Sequence, residues 1–148
     1  MIGGYFMKIL IIDGQGGQLG AQLVKEISAQ FSDVELLCVG TNAMASSAML
    51  KAGARQVATG ENPVVVACRK ADVIIGPIGI VIADSLLGEV TPQMALAVAQ
   101  ADAVRILIPM NKCDNLVAGV GNSNTRVLIE DALAKLRSLV RGAAAGNC

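Results

Sequence analysis

The apolar positions of this chain fall into short unbroken runs separated by amphipathic stretches. Residues 8–13 (KILIID), 34–39 (VELLCV), 72–76 (DVIIG) and 104–109 (VRILIP) have strand length. Each is apolar at consecutive rather than alternate positions, the pattern of a strand covered on both faces. A weak, short strand is expected around Val57, before a TGEN turn at 59–62. Between these runs the spacing changes. Leu19, Leu23, Val24, Ile27 and Phe31 recur at helical intervals, and 43–52 is rich in Ala, Met and Leu with Gly53 placed to end a helix. Thr91 followed by Pro92 supplies an N-cap and a first-turn proline, opening a helix to about Ala101. Residues 124–141 give the clearest helix, with Ile129, Ala132, Leu133, Leu136, Leu139 and Val140 in one stripe. Residues 63–71 are ambiguous: Val64 to Val66 favour strand, yet a short helix ending near Lys70 fits the spacing better. Residues 115–120 read as a sixth strand near an edge.

Apolar strands alternating with helices predict an α/β fold with a parallel sheet sandwiched between helical layers. Right-handed crossovers then give a doubly wound, Rossmann-like sheet of five to six strands, three-layer α/β/α, in order 3-2-1-4-5. No repeat, linker or composition break divides residues 1–148, so one domain is expected, with 1–6 as an extension and 142–148 as a flexible tail.

Composition narrows the chemistry. Twelve Lys+Arg balance 12 Asp+Glu, and aromatics make up 2% of the 148 residues, so there is neither a basic footprint nor a stacking platform for nucleic acid. The chain has no His, which excludes Ser-His-Asp and Cys-His nucleophiles and any His-ligated metal. Cys38, Cys68, Cys113 and Cys148 lie too far apart for a redox or zinc pair, and no metal site is expected. Cys38 reads as strand core. The uncharged apolar stretch 73–83 is too short to cross a membrane, and the N-terminal MIGGYFMKILIID lacks a basic segment ahead of its apolar run. A cytoplasmic protein with no membrane association is expected. Charged residues make up 16%, below the roughly 25% usual for a soluble domain, which points to surface covered by a second copy in a homodimer.

Candidate chemistry gathers at the loops after the strands. Gly14, Gly16, Gly17 and Gly20 lie between the first strand and first helix, where glycine permits close backbone approach and the helix start offers free N–H groups to a phosphate. The common GxGxxG spacing would require glycine at Leu19; GxxGxxG fits through Gly14, Gly17 and Gly20. Gln15 and Gln18 complete this candidate phosphate or dinucleotide loop. The same glycines also suit a tight strand–helix turn. An NAD site usually places Asp or Glu at the end of the second strand, and here Gly40, Thr41 and Asn42 stand there instead. Thr41 and Asn42 are candidates for a ribose or 2′-phosphate contact, or for capping the second helix.

Other residues extend this rim. Asp13, at the end of the first strand, is expected to accept hydrogen bonds from its own loop, or to hold a metal or hydroxyl. Gly76, with the apolar 76–79 segment, is placed to approach a nicotinamide. Asp84 and Glu89 are candidate acid–base residues, Asp84 through a pKa raised by apolar surroundings, and Asn111 is a candidate for orienting substrate. Ile78, Ile80, Val81, Ile82, Leu86 and Leu87 equally read as a dimer patch.

Taken together, IDGQGGQLG, VGTNAMASSAML, ATGEN, GPIGIV, DSLLGEVTP and PMNKC resemble a small bacterial domain family of unknown function. The likeness spans about residues 7–121 and implies a Rossmann-like glycine loop but no established activity. A second likeness, to extended short-chain dehydrogenases, covers only the glycine loop. Their Tyr-x-x-x-Lys pair is absent, since Tyr5 is the sole tyrosine and precedes the first strand. The leading expectation is a protein that binds a nucleotide or dinucleotide, NAD or NADP, through residues 14–20. The alternatives are a small oxidoreductase or transferase using Asp84 or Glu89, and an interaction module docking through 76–87.

Overall fold

A computed structural model describes residues 6–110 and 114–142. Five strands form one parallel sheet: β1 Met7–Asp13, β2 Val34–Gly40, β3 Gln56–Thr59, β4 Val73–Pro77 and β5 Val104–Ile108, in order β3-β2-β1-β4-β5. Five α-helices connect and follow them: α1 Gln18–Gln30, α2 Ala43–Lys51, α3 Glu61–Cys68, α4 Pro92–Gln100 and α5 Thr125–Arg141. This is the α/β, Rossmann-like architecture expected from the apolar runs.

The unbroken hydrophobicity of β1 follows from its central position. Side chains alternate across a strand, so neighbours in sequence enter opposite cores. Ile9 and Ile11 pack with Leu23, Ile27, Met49, Leu133 and Leu136 from α1, α2 and α5. Leu10 and Ile12 pack with Val64, Met94 and Val98 from α3 and α4. Cys38 belongs to the first core, where burial pushes its thiol up to about 12.

β1 pairs with β2 from Met7↔Val34 to Asp13↔Gly40, and with β4 from Ile9↔Val73 to Ile11↔Ile75. The chain therefore winds outward in one direction through β2 and β3, then in the other through β4 and β5. The reversal lies between β1 and β4, and the carboxyl ends of these strands open the crevice in which folds of this kind take ligands.

Two ambiguous segments resolve. Residues 63–71 contribute to a helix, α3, despite the three consecutive valines; Gly60 starts it at φ 105 and the chain leaves it through an Arg69 turn. The expected sixth strand does not form. Residues 115–120 make a turn in which the Val120 N–H donates to the Val117 carbonyl, with Gly119 at φ 82 and Leu116 95% exposed. With neither face buried, its apolar residues have nothing to fix a strand register.

Candidate functional site

Asp13 organises the loop after β1. It is only 4% exposed, and its two oxygens accept separate backbone N–H groups: Oδ1 from Gly14 at 2.8 Å and Oδ2 from Gly20 at 2.7 Å. Gly17, the N-cap of α1, has no side chain to cap the helix, so Asp13 caps it from the end of the strand. Burial raises the Asp13 pKa, the Gly20 and Gly14 N–H groups pull it back, and the nearby Glu89 charge adds to the rise.

The glycines of this loop separate into two kinds. A Cβ on Gly14 would lie 2.6 Å from Thr41 Oγ1, one on Gly20 2.7 Å from Met49 Sδ, and one on Gly17 2.7 Å from the Ala45 Cα. Gly17 also sits at φ 73. Close packing of the protein against itself accounts for all three. At Gly16 a Cβ would meet nothing within 4 Å, and the backbone lies outside the left-handed region. Among the described residues, the N–H groups of Gly16, Gln18 and Leu19 have no acceptor. Gln15, beside Gly16, is exposed at φ 49.

The second side of the site is the end of β2. The Thr41 N–H donates to the Asp13 carbonyl at 2.9 Å, holding the β1 and β2 ends together. Asn42 caps α2 by accepting the Ala45 N–H on Oδ1 at 2.8 Å, while its Nδ2 donates to the Gln15 carbonyl at 3.0 Å. The capping role expected for Thr41 or Asn42 therefore belongs to Asn42.

The third side follows β4. After a 3₁₀ turn at Ile78–Val81, the chain makes a compact turn with Asp84, Leu86, Leu87 and Gly88 at φ 63, 55, 57 and 86. Left-handed non-glycine residues cost about 1–2 kcal/mol each, so this turn needs anchors. The Asp84 N–H donates to the Val90 carbonyl at 2.7 Å, and Ser85 Oγ donates to the Gly79 carbonyl. Leu86 is 1% exposed within the second core.

This turn carries Glu89 across to the other two sides. Its Oε1 accepts from the Gln15 N–H at 2.8 Å, from Thr41 Oγ1 at 2.8 Å and from Asn42 Nδ2 at 2.6 Å. Burial alone would raise the Glu89 pKa, but these three donors outweigh it and hold the carboxyl below the usual glutamate range. Its Oε2 has no hydrogen-bond partner among the described residues.

Thus Gly14, Gln15, Thr41, Asn42 and Glu89, residues from three separate loops, meet in one cluster, with Gly16, Gln18 and the start of α1 beside it. The other candidates lie differently. Gly76 is a buried residue of β4, and a Cβ there would fall 2.4 Å from the Ile12 carbonyl, so strand packing accounts for this glycine. Asp84 is exposed rather than enclosed by the apolar loop, and its backbone closes the turn, donating to the Val90 carbonyl and accepting from the Gly88 N–H. Asn111 and Cys113 lie outside the described residues. The apolar stretch is largely taken into the protein's own core: Ile80 and Leu86 are buried, Ile78, Val81 and Ile82 partly buried, and only Leu87 is fully presented to solvent.

Two sizeable concavities lie away from this rim. One of about 730 Å³ separates α1 from α5 near Gln22 and Arg126, and one of about 450 Å³ lies between β5 and α5 near Arg105 and Lys135. The first is lined mainly by polar and charged side chains of α1 and α5, the second by apolar residues of β5 and α5 with Arg105, Asp131 and Lys135. Among the described residues, no group of three or more acidic or cysteine side chains is placed to hold a metal, and no helix is long and apolar enough to cross a membrane. No curated protein matches the sequence. The family model for a domain of unknown function, DUF3842, matches residues 8–141, and the chain therefore belongs to that family.

Proposed function

We propose that this protein binds a nucleotide of the NAD type at the rim where the β1–α1 loop meets the ends of β2 and the turn after β4. Gly16 carries the reading. It is the glycine of the loop that neither a left-handed backbone nor an internal contact requires, and the space beside it is open, which leaves room for a ligand to approach the backbone closely. The unpaired N–H groups of Gly16, Gln18 and Leu19 at the start of α1 suit a phosphate. Glu89 supplies an acceptor for hydroxyl groups on the same rim. A carboxyl held below its usual range accepts hydrogen bonds at neutral pH and is a poor proton donor, so binding is favoured over acid–base chemistry at this residue.

Thermal denaturation of the purified chain against NAD, NADH, NADP, NADPH, FMN, ATP, coenzyme A and S-adenosylmethionine tests the reading. A ligand at 100 times its Kd adds about 2.7 kcal/mol, or roughly 5–11 °C at this chain size. Gly16→Val should leave the unliganded Tm within about 1–2 °C, since it meets open space, and should remove the ligand-induced rise. A flat panel, or a Gly16→Val variant that keeps the full rise, would overturn the assignment.

A further inference from the structure

Open α/β sheets that bind NAD place an acidic residue at the end of the second strand, where it accepts the ribose hydroxyls. Here that position holds Gly40, Thr41 and Asn42. The structure brings a carboxylate to the same place from another part of the chain. Glu89 lies 48 residues from Thr41 and 47 from Asn42 in sequence, yet bonds to both side chains and to the Gln15 N–H. We propose that Glu89 is the specificity-determining residue of the rim, selecting a nucleotide whose adenosine ribose carries free 2′- and 3′-hydroxyls over one phosphorylated at the 2′ position. This inference rests on the nucleotide reading above.

Three observations support it. First, Oε1 is saturated by three donors, which fixes the orientation of the carboxylate and leaves Oε2 as its open acceptor. A ribose diol offers hydroxyl donors to such an oxygen; a phosphate offers only acceptors. Second, segments 14–18, 40–45 and 76–91, which meet here, contain no Lys or Arg, the groups that ordinarily receive a 2′-phosphate. Third, Asp13 is a second carboxyl close enough to feel the Glu89 charge. A 2′-phosphate set against Glu89 would meet this like charge, whereas the nucleotide's other phosphates face the N–H groups of Gly16, Gln18 and Leu19.

The test uses fluorescence titration of the full chain with NADH and with NADPH. The wild-type protein should bind NADH at least roughly tenfold more tightly, because a site built around a hydroxyl discriminates strongly when the hydroxyl is replaced. Glu89→Gln keeps one oxygen for the three donors but presents an NH₂ group where Oε2 stands. It should bring the two affinities within roughly threefold or invert them. If that variant does not fold, 2′-deoxy-NAD titrated into the wild type replaces it, and should bind at least roughly tenfold more weakly than NAD.

Equal binding of NADH and NADPH by the wild type, or a preference for NADPH, would overturn the role of Glu89 and leave the nucleotide reading standing. So would an unchanged preference in Glu89→Gln, or 2′-deoxy-NAD binding as tightly as NAD. Binding of neither nucleotide would remove both.

Discussion

Two tight turns meet at the carboxyl edge of the sheet, and they are built by opposite means. The turn after β1 uses glycine where the backbone must pass close to a neighbour or adopt a positive φ, as at Gly14 and Gly17. The turn after β4 puts Asp84, Leu86 and Leu87 into the left-handed region without that relief. The first is relieved by glycine at its close approaches and leaves one left-handed residue, Gln15 at φ 49, without that relief. The second is strained locally and is held by distant contacts: Leu86 in the core, Ser85 on Gly79, and Glu89 on three donors from other loops. A turn of the second kind can deliver a side chain to a place that local sequence would not choose, but it depends on its anchors.

The sharpest way to break the glycine turn is Gly17→Val. A Cβ at φ 73 would press on the Ala45 backbone at 2.7 Å, which a flexible neighbour cannot relieve. The left-handed penalty together with overpacking gives a loss of about 3 kcal/mol, read as a Tm fall of roughly 6–12 °C.

On the other side, Glu89→Ala removes the anchor of the strained turn. The donors it leaves are partly open to water, so the expected loss is about 1 kcal/mol at neutral pH. The effect carries a pH signature. The folded pKa of Glu89 is depressed, so its contribution is fully present above the unfolded value and is lost as pH falls through the folded one. Denaturant unfolding of wild type and variant should therefore converge in acid. Asp13, with its raised pKa, has the opposite sign: its protonation on acidification favours the fold. Because the Glu89 charge adds to the rise at Asp13, the difference between the two proteins reports Glu89 together with its coupling to Asp13.

Leu87→Gly sharpens the contrast most gently. Leu87 is 95% exposed at φ 57, so little burial is lost. Relief of roughly 1–2 kcal/mol of backbone strain, less roughly 0.5–1 kcal/mol for glycine's greater freedom when unfolded, predicts a gain of about 0.5 kcal/mol in denaturant midpoint experiments. A loss instead would mean that the left-handed turn is not strained at this position.

The two turns were also unequally legible. Local chemistry announced the strands, the cap at Thr91, and the glycine cluster with Asp13 before it. At α3 the three valines pulled towards strand because β-branched residues favour strands locally, while the spacing better fitted a helix, and packing of Val64, Ala67 and Cys68 into the second core agrees with the spacing. Residues 115–120 looked like a strand because short apolar runs carry no information about burial partners. Glu89 was visible as an acidic residue near the rim, but its meeting with Thr41 and Asn42 was not. That contact depends on consecutive left-handed residues, two of them leucines, which no propensity would assign; Asp84, Ser85 and Gly88 signalled a turn but not its path.

The central position of β1 has a consequence for how the chain comes to be folded. β1 finds β2 after one short crossover, but its other edge pairs only with β4, and the Lys8 N–H reaches the Asp72 carboxylate across 64 residues of chain. During synthesis the units from β1 to β3 can assemble while that isoleucine-rich edge still lacks its neighbour. Closing it requires the loop entropy of the whole intervening segment. The strand that ends up best protected is thus the one exposed longest to pairing with another copy, and the second half of the chain serves the first as its shield against aggregation.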